Sequence, residues 1–267
     1  MQITTDILYP ALGTALPNMH NVRFPKIQGA LGHVYFVDQD KKQYVVKFNP
    51  QHLVLKNVQV ANIFQEHNIP APASRACARY DTWMEVYPQI QGRTLFERIG
   101  DGLSSDKVRE IYQEILTHFA KMEDINFQKL SHLECRHFHQ VARYNVSDTN
   151  NAVTARIIQG LVRVLNIGKK QDTGLYHAGI TPKNVILSPD DRFAGFIDLD
   201  EAAICNKNYA FGSMATKYAQ LGYDIRELFD YYERLTGKKL DRRRISAMAD
   251  LNNIGKCILG KTARRSR

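Results

Sequence analysis

Cysteine is scarce in this 267-residue chain, and its four copies, Cys77, Cys135, Cys205 and Cys257, are widely scattered. Without a CxxC pair, neither a thiolate zinc site nor a disulfide framework organises the fold, and reduced thiols are expected. Long apolar runs are missing as well: none approaches the ~18 residues of a membrane helix. The opening MQITTDILYP lacks a charged-then-apolar leader, so a cytoplasmic location is the expectation. Internal repeats and low-complexity tracts are absent, which excludes solenoid and fibrous architectures. Net charge is nearly absent from the first 237 residues, which sum to +1 of the total +9. The remainder sits at 238–267, where ten Lys and Arg face only Asp241 and Asp250. This segment reads first as a solvated helix face with a frayed end, and otherwise as a surface for an anionic membrane or an acidic partner; no specific nucleic-acid binding is indicated.

What is present is an ordinary globular composition, 44% hydrophobic and 24% charged, in a chain long enough for one large domain or two lobes. The β-rich runs at 33–37 and 43–48 flank the polar turn Asp38–Lys42. A helix is expected over 53–67, stopped by Asn68-Ile69-Pro70-Ala71-Pro72, and strands near 74–78 and 82–87. Beyond Gly92 the period changes. Val108, Ile111, Tyr112, Ile115, Phe119 and Met122 mark an amphipathic helix announced by Ser104-Ser105-Asp106. A further helix is expected at 152–166, two short strands at 184–187 and 194–197, and helices at 224–236 and 241–251. The layout is α+β in two lobes: residues 1–86, a hinge at 87–92, and a mainly helical part at 93–267.

Three segments carry chemistry. Gly29 and Gly32, three apart between strand-like stretches, let the backbone approach phosphates, and Lys47 on the next strand can reach their charge. The second is Tyr176-His177-Ala178-Gly179-Ile180-Thr181-Pro182-Lys183-Asn184, and the third is Phe196-Ile197-Asp198-Leu199-Asp200-Glu201. Asn184 opens one strand of a hairpin and Asp198 closes the other, so their oxygens suit Mg²⁺.

These residues resemble the protein-kinase-like superfamily, in particular its aminoglycoside- and choline-phosphotransferase branch. That branch reads His-Gly-Asp, four residues, then Asn, with a metal-binding Asp at an Ile-Asp strand end. His177, Asn184 and Asp198 match one by one. Tyr44–Lys47 resembles the nucleotide-lysine strand, Asn68–Pro72 the turn after the first helix, and Met84–Leu95 the hinge with its following Gly-x-x-Leu. The resemblance implies a small N-terminal antiparallel-sheet lobe with one helix and a larger helical lobe. It implies ATP and Mg²⁺, with Gly29, Gly32 and Lys47 on the phosphates, Val86, Tyr87 and Gln89 at the adenine, and Asn184 and Asp198 on the metal. A small-molecule hydroxyl acceptor is implied too, since no Ala-Pro-Glu activation segment follows Asp198.

Two positions depart from the pattern. The family's catalytic Asp is replaced by Gly179, and no Glu stands near Asn57 or Val58 to pair Lys47. The nearest carboxylates to substitute for the lost base are Asp200 and Glu201. General-base help is worth ~10²–10⁴-fold, so the chain reads either as a phosphotransferase, active, slow or silenced, or as a pseudokinase that binds nucleotide or partners. Asp224, Glu227 and Asp230 could form an acidic face for a cationic acceptor such as an aminoglycoside or choline, and a solvated helix face explains them equally well. The basic C-terminus would instead fit the sugar kinases of lipopolysaccharide in the same superfamily. The clustered His132, Cys135, His137 and His139 read as ordinary surface and core residues.

Overall fold

The computed structural model describes residues 5–24, 33–79, 81–126 and 173–246. Gly29, Gly32, the helix expected at 152–166, the 132–139 cluster and the chain beyond 246 lie outside them. The chain divides into two compact units: Met1–Thr94 with Val185–Asp200, and Leu95–Asn184 with Glu201–Arg267.

The first unit is built on a five-stranded antiparallel sheet, order β1-β2-β3-β5-β4, from β1 (Asn21–Arg23), β2 (His33–Gln39), β3 (Lys42–Phe48), β4 (Arg75–Arg79) and β5 (Thr82–Pro88). β2 and β3 turn through Asp40 and Lys41, both at positive φ as a tight two-residue hairpin requires. Side chains alternate across the sheet. Val37, Val46, Phe48, Met84 and Val86 pack on α1 (Thr5–Ala15), which buries Leu8, Ala11, Leu12 and Ala15. The interleaved Lys47 and Glu85, opposite one another in register, therefore belong to the other face. That side carries α2 (Gln51–Glu66), with Val54, Asn57, Val60, Ala61 and Phe64 buried. The first unit thus has two helices where one was expected. Pro10 and Gly13 within α1 had masked its periodicity.

A small antiparallel sheet, β6 (Arg93–Thr94), β8 (Val185–Leu187) and β9 (Phe193–Phe196), completes this unit. The β8–β9 hairpin clusters with the first unit rather than with the helical part because Arg93 and Thr94 pair with Leu187 and Ile186. The Phe196 N–H also donates to the Pro70 carbonyl at 2.9 Å. Gly92 makes this approach possible: its φ is +142°, and a Cβ there would lie 1.8 Å from the Leu187 carbonyl oxygen.

The second unit contains α3 (Leu95–Gly100), α4 (Ser105–Glu123), the antiparallel pair β7 (Thr173–His177) and β10 (Ala202–Asn206), α5 (Lys207–Gln220) and α6 (Ile225–Thr236). Ser104 caps α4, its hydroxyl accepting from the Lys107 N–H. Asp224 caps α6, and Gly237 ends it at φ +67°. Val108, Ile111, Tyr112, Ile115, Phe119 and Met122 are all buried, as their spacing requires. Phe119 is the hub: its ring stacks on Tyr176 at 4.9 Å and meets Phe211 and Tyr232 edge-on. Phe119→Ala should cost about 3–5 kcal/mol of stability by urea unfolding, with an unchanged m-value if only this packing is lost.

Candidate active site

Lys47 lies on β3, an inner strand of the sheet, and is only 7% exposed. A buried ammonium needs partners, and two carboxylates from the segment after β9 supply them. Its Nζ donates to Asp198 and, at 2.7 Å, to Asp200 Oδ2. Asp198 holds a left-handed φ of +61°, a conformation that Asp tolerates better than most side chains and that tends to occur where geometry is functional. Asp200 follows in a 3₁₀ turn (Leu199–Glu201) and is 5% exposed.

Asp200 is fully engaged. Its Oδ1 accepts from Asn57 Nδ2 at 2.5 Å and more weakly from Asn49, while Lys56 donates to its backbone carbonyl. Asn57 Nδ2 also donates to Glu85 Oε2 at 2.9 Å, and the Ser74 hydroxyl donates to Glu85 Oε1 at 2.9 Å. Asn57 thus stands where the kinase-like pattern places a helix glutamate. With two carboxylates already on Lys47, a third would add like charge; a neutral amide instead bridges two acids. Glu85 was not foreseen from sequence, although a lone charge inside the apolar strand Thr82–Tyr87 was its signal.

Burial opposes the charge of each member, and the partners decide the outcome. Lys47 is pushed down by desolvation, but the nearby Asp198 and Asp200 charges carry its pKa above the ordinary lysine value. For Asp200 burial acts upward, yet the Lys47 charge and the Lys47 and Asn57 hydrogen bonds bring it below the usual carboxylate value. Glu85 goes the other way: burial raises it, and its hydrogen bonds only partly offset that.

The residues expected at the adenine lie on β5 and just after it. Val86 is buried and flanked by Val46 and Arg75, whereas Tyr87 pairs only with Val45 because β4 stops opposite Val86. Beyond Val86, that edge of β5 has no strand partner among the described residues. The Gln89 N–H donates to the Gln43 carbonyl at 2.8 Å, and its Oε1 is buried without a hydrogen-bond partner among the described residues.

In the second unit, β7 ends at the buried His177 and leads into Gly179. Asn184 closes the loop: its Nδ2 donates to the Gly179 carbonyl at 3.0 Å, and its N–H donates to the Thr181 carbonyl. This bond gives the five-residue spacing between 179 and 184 its physical reason. Using the amide nitrogen also leaves Asn184 Oδ1 as the available ligand atom. Asp198, with 44% of its side chain exposed and one oxygen on Lys47, retains a second oxygen. Such hard oxygen donors fit Mg²⁺. Among the described residues no group of three or more His, Cys, Asp or Glu could hold a metal.

The acidic residues along α6 are paired, mostly by bases from outside the helix. Asp224 pairs with Arg226, Glu227 with Arg109 and Tyr218, Asp230 with Arg242, and Glu233 with Lys239 and Arg242. Hydrogen bonding from Arg242 lowers the Glu233 carboxyl to about 2. Lys238 pairs with Glu123 and Arg244 with Asp241, so the start of the basic segment is already paired.

Comparison with known proteins shows the family and the fold. Residues 23–216 match the model of the "Phosphotransferase enzyme family". The chain belongs to that family, within the aminoglycoside-phosphotransferase-like branch of the protein-kinase-like superfamily, and its fold is the two-lobed α+β fold of that group. No curated protein matches the sequence. Among solved structures, the GDP complex of aminoglycoside 2′-phosphotransferase-IIIa superposes with a TM-score of 0.71 at 15% identity, over 96% of this chain and 91% of that one. Spectinomycin phosphotransferase in complex with ADP and spectinomycin gives 0.67 at 15%, over 97% and 90%. Aminoglycoside phosphotransferase APH(3'')-Id from Streptomyces rimosus gives 0.66 at 16%, over 94% and 98%. At these identities the likeness is one of fold.

The buried pairing also sets the acid stability. Because Asp200 is lowered from its unfolded value of 3.8, it contributes stability that is present above that pH and lost as pH falls through the folded value. Asp200→Asn should cost about 1.5–3 kcal/mol at pH 7. It should also flatten the acid limb of the stability curve below pH ~4, as read by urea unfolding across pH.

Proposed function

We propose that this protein is an ATP- and Mg²⁺-dependent phosphotransferase acting on a hydroxyl of a small molecule. The observation that carries the reading is the buried Lys47 beside Asp198, a cation that can reach phosphates next to a carboxylate that can hold Mg²⁺, the two charges phosphoryl transfer uses. Lys47 positions the phosphates, with Gly29 and Gly32 covering them. The backbone edge at Val86, Tyr87 and Gln89 receives the purine, where Gln89 Oε1, without a hydrogen-bond partner among the described residues, is a further acceptor. Asp198 and Asn184 supply the protein oxygens for Mg²⁺, which when bound neutralises charge on the transferring phosphate. His177 shapes the loop from within. The acceptor is an aminoglycoside, an amino alcohol or a sugar. The neutralised α6 face weakens one ground for a polycation, though not the aminoglycoside class as such.

Gly179 favours a second reading, a pseudokinase that binds nucleotide as a scaffold without transfer. Thermal unfolding with Mg²⁺ and ATP, followed by ATP consumption against pooled sugars, amino alcohols and aminoglycosides, separates the two. The phosphotransferase reading expects stabilisation approaching about 2.7 kcal/mol at a hundredfold excess over Kd and acceptor-dependent consumption. Lys47→Met should abolish both. Stabilisation with no consumption against any acceptor favours the scaffold; no stabilisation at all contradicts nucleotide use.

A further inference from the structure

The space above Gly179 is filled. A Cβ at this position would lie 2.5 Å from Glu201 Oε2, 2.8 Å from Glu201 Cβ and 2.9 Å from Glu201 Cδ, closer than any ordinary Cβ contact. Position 179 therefore has room for glycine only while Glu201 lies across it. The topology explains the meeting: the β7–β10 ladder ends with His177 opposite Ala202, so the residues just past that end, Gly179 on one side and Glu201 on the other, converge. The register is held by Ala203–Tyr176 and Ile204–Leu175, and the loop by the Asn184 bond to the Gly179 carbonyl. Despite this packing Glu201 is an exposed residue.

A carboxylate oxygen 2.5 Å from that Cβ position lies at the distance at which an aspartate holds its own oxygens from its own Cβ. Asp200, by contrast, is buried with both oxygens bonded to Lys47 and Asn57, which suits an ion-pair partner and not a proton acceptor open to a hydroxyl. We propose that Glu201 is the general base of the transfer, presenting from the end of β10 the carboxylate that position 179 no longer supplies. This rests on the phosphotransferase reading above. In the step, the acceptor oxygen bonds to the γ-phosphorus while Glu201 takes the hydroxyl proton. The bond from that phosphorus to the β–γ bridging oxygen breaks, and ADP leaves with its electron pair. The products are a phosphate monoester, ADP and a proton released from the glutamic acid. A glutamate reaching in from the turn that precedes β10 needs its additional methylene, and it needs a residue without a side chain beneath it. Gly179 and Glu201 thus form one exchange.

Four proteins test this: the wild type, Glu201→Gln, Gly179→Asp, and Gly179→Asp combined with Glu201→Gly. Without ligand, Gly179→Asp should lower Tm by a few degrees through collision and like charge. That cost should disappear when Glu201→Gly accompanies it, a coupling expected only of neighbouring residues. With Mg²⁺ and ATP, Glu201→Gln should retain the wild-type thermal stabilisation. Its ATP turnover, measured with water and with the acceptor pool, should fall by ~10²–10⁴-fold. The double variant should recover to within about tenfold of the wild type, because the carboxylate is restored from the other side. If Glu201→Gln turns over ATP as fast as the wild type, or if both bind ATP and are equally silent, the assignment is overturned while nucleotide binding stands. Independent, additive Tm effects at 179 and 201 would also overturn it. Failure of Mg²⁺ and ATP to stabilise the wild type would sink the phosphotransferase reading itself.

Discussion

An ammonium inside a β-sheet is costly unless its charge is answered, and this structure answers it twice. Lys47 lies between Asp198 and Asp200, so its ammonium keeps one carboxylate even if the other is lost. The surrounding features follow from that demand. Asn57 is an amide because it must donate to two acids at once. Glu85 is held by Asn57 and Ser74 opposite the lysine. The β8–β9 hairpin reaches the sheet through β6 and through Pro70, which delivers Asp198 to the lysine in a strained backbone conformation. Only glycine at 92 permits the first of these approaches.

The same frame gives meaning to the two departures from the family pattern. Where a helix glutamate is expected, the charge has moved to Asp200 and the helix contributes a neutral bridge. Where a catalytic aspartate is expected, the side chain is gone and the space belongs to Glu201. In both places a carboxylate stands close by: Asp200 on Lys47, and Glu201 over the Cα of Gly179.

Much of this was legible beforehand, and for identifiable reasons. The amphipathic spacing from Val108 to Met122 and the Ser104 cap announced α4. The alternation at 43–48 announced the lysine strand. The spacing of Asn184 from Gly179 was visible because a hydrogen bond across the short loop sets it. Other features were hidden. α1 was obscured by Pro10 and Gly13 inside the helix. β7 and β10 are five-residue segments that only their mutual pairing defines, so periodicity had nothing to register. For the same reason the contact between Gly179 and Glu201 could not be read from residues 22 positions apart. Nor did the acidic sequence of α6 disclose that arginines and lysines from elsewhere in the unit would consume its charge.

The central claim is that Asp198, held by Lys47, is the anchor of a metal-bound triphosphate. Calorimetric titration of ATP into the wild type and into Asp198→Asn, with and without Mg²⁺, tests it most directly. The account predicts that magnesium strengthens ATP binding to the wild type and that Asp198→Asn loses most of this strengthening. Equal ATP affinity with and without the metal, or an Asp198→Asn variant with undiminished magnesium dependence, would contradict it.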